Sequence, residues 1–179
     1  VFLKSCYAAK KPLVLDADAL NIISDNPDLL DFIPARSVIT PHAGEFDRLF
    51  GAQNSHGTRT LMALEMAQRY NIVILLKGPK TFTIWPDGSI LVNSSGTEAL
   101  ATAGSGDVLT GLLAGLMAQK IMPEIAAAVG AYIHGVAGRI AARTCGIQGT
   151  TAEDIADAIG PAIDTILNPR PAGAKNLSI

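Results

Sequence analysis

Residues Thr102-Ala103-Gly104-Ser105-Gly106-Asp107-Val108-Leu109-Thr110-Gly111 set a Gly-Ser-Gly turn directly before an aspartate, and the aspartate directly before an apolar run of helical character. A helix that starts there presents unpaired N–H groups and the positive end of its dipole. The glycines let the main chain approach a ligand closely and adopt positive φ angles. The product is an anion site with a carboxylate at its rim. That carboxylate repels a bound phosphate unless it takes a proton from a reacting group or helps to hold a metal. In phosphoryl transfer, Asp107 would accept the proton of the attacking hydroxyl while the N–H groups hold the developing charge. The competing reading is a small-residue loop whose Asp107 only caps a helix, worth about 1 kcal/mol. The turn is neither a Walker A loop, since no Gly-Lys-Ser/Thr follows, nor a GxGxxG fingerprint.

The elements that must position this turn are legible from periodicity. Pro12 to Asp18 reads as a buried strand ending in carboxylates, and Ser37 to Thr40 as a second strand that stops at Pro41. Gly44 to Phe50 and Gly57 to Tyr70 read as helices, and Ile72 to Leu76 as the clearest strand, ending at Lys77-Gly78. Continuous apolar runs of this length suit parallel strands covered on both faces. Thr81 to Trp85 and Ser89 to Val92 flank Pro86-Asp87-Gly88, a hairpin turn signal. Val108 to Gln119 and Glu124 to Thr144 read as helices, the second with Pro123 in its first turn. Thr150 and Glu153 have the spacing of a capping box for a last helix to about Leu167, and the tail from Asn168 reads as a surface segment. Strand–helix alternation, one hairpin and then helices predict a three-layer α/β domain with a mostly parallel sheet. Ligands in such sheets bind beyond the carboxyl ends of the strands. Asp16, Asp18, Asn21, His42, Lys77-Gly78 and Gly104 to Asp107 are therefore candidates for one cleft.

The whole chain narrows the class. At 179 residues, 49% hydrophobic and 17% charged, it is long and apolar enough for one domain with a full core. A net charge of −2 with scattered Lys and Arg gives neither a nucleic-acid footprint nor a polybasic membrane patch. Cys6 and Cys145 are too few and too far apart for a disulfide framework or a metal site and read as buried free thiols. The longest strongly apolar run, Val108 to Ala118, is too short to span a bilayer, no signal peptide opens the chain, and a cytoplasmic soluble protein is the expectation. His56 in an evident loop and His134 in mid-helix read as structural. Glu45 suits either the helix dipole or a metal–phosphate region. Lys77 reads equally as a solvated strand end or as a point charge for phosphate, with Thr81 adding a hydroxyl.

The glycine block closely resembles the second signature of the ADP-dependent NAD(P)H-hydrate dehydratases, the C-terminal domain of YjeF-type repair proteins in the ribokinase-like superfamily. Leu75-Leu76-Lys77-Gly78-Pro79-Lys80-Thr81 resembles the first signature, Thr40-Pro41-His42-Ala43-Gly44-Glu45-Phe46 a third block, and Val14-Leu15-Asp16-Ala17-Asp18-Ala19-Leu20-Asn21 a fourth. The four blocks stand in family order and span nearly the whole chain. Ala103 stands where the family commonly has Gly.

The resemblance implies a single ribokinase-like domain over residues 1–179 that lacks part of the usual N-terminal portion, with some substrate contacts lying outside the chain. It also implies repair of hydrated NADH or NADPH (NADHX or NADPHX): a nucleotide phosphorylates the ring hydroxyl, and loss of phosphate regenerates the cofactor. Asp107 would be the general base and touch substrate, with His42 as a second substrate contact. Lys77, Gly78, Pro79, Lys80 and Thr81 with Gly104, Ser105 and Gly106 would bind the nucleotide, ADP rather than ATP, with Mg2+. No metal-ligating set is assigned. A homo-oligomer, a tetramer, is implied as well. Two alternatives remain: a small-molecule kinase of the hydroxymethylpyrimidine or hydroxyethylthiazole type, and a non-catalytic ADP-binding fragment.

Overall fold

A computed structural model describes residues 1–169. The expected surface tail therefore lies, from residue 170 on, outside the described residues. Strands β1 (Val14–Leu15), β2 (Val38–Ile39) and β3 (Val73–Leu76) run parallel, and β4 (Thr81–Ile84) and β5 (Ile90–Asn93) complete the sheet as an antiparallel hairpin on β3. The spatial order is β1-β2-β3-β4-β5, and β4 alone runs against the others. Helix α1 (Phe2–Ala8) precedes β1. Helix α2 (Asp18–Asp25) and a 3₁₀ turn (Pro27–Phe32) link β1 to β2, while α3 (Ala43–Phe50) and α4 (His56–Tyr70) link β2 to β3. A second 3₁₀ turn (Glu98–Ala101), α5 (Ser105–Ala118), α6 (Pro123–Cys145), α7 (Ala152–Asp157) and α8 (Ile159–Leu167) follow the hairpin.

The two-residue period of the strands sorts their side chains into two cores. Leu15, Ile39, Ile74 and Leu76 face Leu20, Ile23, Phe46, Ala63 and Met66 of α2, α3 and α4. Val38, Val73 and Leu75 face Leu109 and Leu113 of α5 with Ala127 and Ala131 of α6. Both faces are covered, which is why the strands read as unbroken apolar runs. The arrangement is the predicted three-layer α/β fold. A third cluster, including Ile133, Val136, Ala137, Ile155 and Ala162, fastens α7 and α8 to the far end of α6.

Several local expectations are corrected. The last helix is broken: α7 stops at Asp157 and α8 begins at Ile159, because Pro161 has no N–H to give the Asp157 carbonyl. Its capping box is Thr151 with Asp154, one residue later than expected, while Thr150 is buried and donates to the Gly146 carbonyl at 2.7 Å. His56 is no loop residue; it opens α4 behind a Ser55 cap, its ring 4.7 Å from Phe82. The thiols are not buried: Cys145 is exposed at the end of α6, and Cys6 is half-buried on α1, which carries no buried residue. The longest apolar helix is α6 rather than Val108 to Ala118. Its 23 residues are long and apolar enough to cross a membrane, yet 61% of the apolar window is buried inside this fold, between sheet, α5 and α8.

Candidate functional site

The β2–β3 register recurs at one isolated bridge, three residue pairs past the last regular pair, Ile39 with Ile74. Lys77 N–H donates to the Pro41 carbonyl at 2.8 Å, bridging His42 to Lys77. Asp16 leaves β1 beside them, held by a turn in which Ala17 has φ +47° and ψ −117°. An alanine in that region is strained by about 1–3 kcal/mol and persists only where its surroundings impose it. Asp16 Oδ1 accepts from Lys77 Nζ at 2.7 Å and Oδ2 from Thr110 Oγ1 at 3.1 Å. Glu45 Oε2 lies 3.7 Å from the same ammonium. Three strand ends and two helix starts thus meet at one lysine.

The two helix starts differ. His42 caps α3: its Nδ1 accepts from the N–H groups of Gly44 (3.0 Å) and Glu45 (3.2 Å), and Glu45 Oε2 accepts from His42 N–H at 2.8 Å. A ring nitrogen that accepts two bonds carries no proton, so the imidazole turns Nε2 outward, 3.6 Å from Glu45 Oε1. At α5 no side chain caps the helix. Gly104 enters it with φ +83°, and Gly106 offers no Cβ where one would stand 3.3 Å from Asp16 Oδ2 and 3.8 Å from Lys77 Nζ. Ser105 N–H donates to the Thr102 carbonyl at 3.3 Å, so the N–H groups of Gly106 and Asp107 are the first-turn donors of α5 that are open to an anion.

Between these starts and α6 lies a cavity of about 690 Å³, within the roughly 300–1,000 Å³ of small-molecule sites. His42, Lys77, Gly78, Pro79, Thr81, Ser105 and Gly106 of the expected site line it. Lys80 and Gly104 are exposed outside its walls, as is Asp107, at the third position of α5 and one residue from Gly106. Asp18 is exposed in the first turn of α2, and Asn21 accepts from Arg48 at 2.9 Å.

The sequence reading missed what α6 contributes. Ala131, His134 and Gly135 form part of the wall. The carbonyls of Ala131 and Tyr132 accept from Asn93 Nδ2 (2.9 Å) and Ser95 Oγ (3.2 Å), seating the end of β5 and the segment after it on the helix. Gly135 makes that approach possible, since a Cβ there would fall 2.8 Å from the Ser95 carbonyl carbon. The Ala- and Gly-rich face of α6 was the available signal for this contact. His134 is buried, with Nε2 3.4 Å from Ser105 Oγ. Burial, helped by the charge of Lys77 and opposed by the Ser105 contact, pushes its pKa down to about 4, so the ring is neutral near pH 7. Among the described residues no group of three or more His, Cys, Asp or Glu side chains could hold a metal ion.

Fold and site together define a ribokinase-like α/β domain whose cavity faces the open start of a helix. The structure of Bacillus subtilis ADP/ATP-dependent NAD(P)H-hydrate dehydratase co-crystallized with ATP/Mg2+ superposes with a TM-score of 0.72 at 29% identity, covering 86% of this chain and 54% of that one. Hydroxyethylthiazole kinase of Pyrococcus horikoshii shares the fold at the same TM-score and 18% identity, over 88% of this chain and 62% of its own. A model of the NAD(P)H-hydrate dehydratase family matches residues 1–161, and the chain belongs to that family. The bifunctional NAD(P)H-hydrate repair enzyme Nnr of Moorella thermoacetica is 45% identical over 82% of this chain and 28% of its own length. The ADP-dependent (S)-NAD(P)H-hydrate dehydratase of Neisseria meningitidis serogroup B is 40% identical over 83% of this chain and 52% of its own length. The chain thus spans about half or less of the length of these two relatives.

Proposed function

We propose that this chain is the nucleotide-binding and catalytic part of an ADP-dependent NAD(P)H-hydrate dehydratase. The observation that carries the reading is the uncapped start of α5, set against Lys77 at the mouth of a cavity of nucleotide size. Family membership supplies the substrate class. The phosphates take the free N–H groups around Gly106 in the Gly104 to Gly106 turn, and Lys77 to Thr81 flank the nucleotide from the β3 end. His42 directs its outward Nε2 at the substrate.

Asp107 is the general base. It accepts the proton of the ring hydroxyl as that oxygen attacks the terminal phosphoryl group of ADP and AMP leaves; loss of phosphate together with a proton from the adjacent ring carbon then restores the dihydronicotinamide. Residues between 93 and 102 form the wall facing the nucleotide. Magnesium fits this donor set only in company with phosphate oxygens, because it is held by one or two carboxylates plus substrate phosphates. Asp16 and Glu45, both with side chains 7% exposed beside Lys77, are the carboxylates placed to join it. When bound, it neutralises charge on the transferring group.

The same reading places residues 1–179 in one domain of a cytoplasmic homo-oligomer, a tetramer, with no nucleic-acid or membrane partner. An uncharged stripe of exposed Ile125, Val129 and Tyr132 on α6 with Met122 just before it, and Leu91 and Val92 on the edge strand β5, supports self-association. The deciding experiment is recovery of NADH absorbance from chemically hydrated cofactor with ADP, using the full-length protein. Asp107→Ala lowers that rate by about 10²–10⁴, roughly 3–5 kcal/mol of barrier, with an unchanged melting temperature. Near-wild-type turnover in this variant would remove the base assignment. Phosphate transfer to hydroxyethylthiazole without NADH recovery would make the protein a small-molecule kinase, and ADP binding without either reaction a binding fragment.

A further inference from the structure

Thr110 stands in the second turn of α5 and does not line the cavity. A threonine within a helix ordinarily turns its hydroxyl to the carbonyl four residues back or to solvent. Here the hydroxyl crosses to β1 and donates to Asp16 Oδ2 at 3.1 Å, a contact between residues 94 apart in the chain. Asp16 is itself outside the cavity wall, and its second oxygen holds Lys77 Nζ at 2.7 Å. Lys77 is the member of this relay that reaches the cavity.

The relay has a physical purpose. A lysine carries its charge on a flexible four-carbon stem, so its position must come from a partner. Two carboxylates compete for it: Asp16 within hydrogen-bonding distance and Glu45 at 3.7 Å. A carboxylate bonded through one oxygen alone is free to rotate and release the ammonium toward its rival. Bonded through both, Asp16 is fixed in rotation and Lys77 stays beside Gly106, at the open start of α5. We infer that Thr110 is a positioning residue, orienting Asp16 so that Lys77 is held at the first turn of α5, hydrogen-bonded to Asp16 rather than to Glu45. The role of the held ammonium toward ADP rests on the proposed function; the holding itself does not.

The test uses the full chain with Thr110→Val, Thr110→Ser and Asp16→Asn. Lysine acetylation by a water-soluble N-hydroxysuccinimide ester is followed by mass spectrometry, with exposed Lys80 as internal reference. The Lys77-to-Lys80 rate ratio is expected to rise several-fold in Thr110→Val and in Asp16→Asn and to return to the wild-type value in Thr110→Ser. An unchanged ratio in Thr110→Val overturns the inference. So does a common rise in all lysines, since that reports general loosening. Titration calorimetry with ADP is the second readout: Thr110→Val raises Kd about three- to tenfold and Thr110→Ser restores it. A wild-type chain that binds no ADP defeats the proposed function while the acetylation ratio still decides the relay.

Discussion

Helices α3 and α5 start at the same cavity and end their backbones in opposite ways. The start of α3 is closed on itself: imidazole and carboxylate exchange reciprocal bonds with its first-turn N–H groups. Helices α4 and α7 use the same device, through Ser55 with Thr58 and Thr151 with Asp154. The start of α5 has no side-chain cap and forgoes the roughly 1 kcal/mol that one contributes. Glycine at positive φ replaces the capping residue there, and the neighbouring glycine clears the approach to Lys77. Helices α1, α2, α6 and α8 also lack a side-chain cap, so the missing cap alone does not set α5 apart; its glycines beside Lys77, at the cavity, do.

The sharpest way to break that contrast is to fill the open start. Gly106→Ala adds a methyl 3.3 Å from Asp16 Oδ2, in the path to the α5 N–H groups. We expect ADP affinity by calorimetry to fall about 100-fold, near 2.7 kcal/mol. Stability is expected to hold, because alanine favours a helix by about 1 kcal/mol over glycine. Loss of stability with unchanged affinity would show that α5 is as closed as α3.

The next largest effect concerns the support beneath α5. His134 touches Ser105, and its folded-state pKa is about 4 against an ordinary value of 6.5. The unfolded chain therefore takes up a proton that the fold refuses. This contribution is complete above pH 6.5 and drains as pH falls from 6.5 toward 4, at about 1.4 kcal/mol per pH unit. Urea unfolding at pH 7 and pH 5 is expected to show about 2 kcal/mol of loss from this group. His134→Gln should remove that difference. An equal acid loss in the variant would place the proton uptake elsewhere.

The smallest effect separates structure from chemistry at α3. His42→Ala deletes the cap and is expected to lower stability by about 1 kcal/mol, a shift of roughly 2–4 °C in melting temperature. His42→Asn keeps an acceptor for Gly44 and Glu45 and should restore the melting temperature without restoring turnover of hydrated NADH. Recovery of both by Asn would leave His42 a cap alone.

Much of this architecture was readable in advance because its signals are local. Strand period, the hairpin turn and the glycine turn before Asp107 each act within a few residues, and they placed β1 to β5 and α3 to α6 to within a few residues at most ends; α1, α2 and the two 3₁₀ turns were not anticipated. The break at Ala158 was missed because the spacing from Thr150 to Glu153 mimics a box that lies one residue further on. The α6 wall was missed for a different reason: Ala131, His134 and Gly135 read as ordinary helix until the 93–97 segment is laid against them.

The chain by itself determined which residues follow each strand and that a glycine turn precedes one helix, since turn chemistry and periodicity are properties of neighbours in sequence. Only the tertiary structure decided what those residues face. That Lys77 sits on Asp16, that Asp16 is fixed by Thr110, and that His134 is neutral beneath Ser105 depend on contacts between residues 61, 94 and 29 positions apart. Packing both faces of the sheet creates those contacts, and no local rule encodes them.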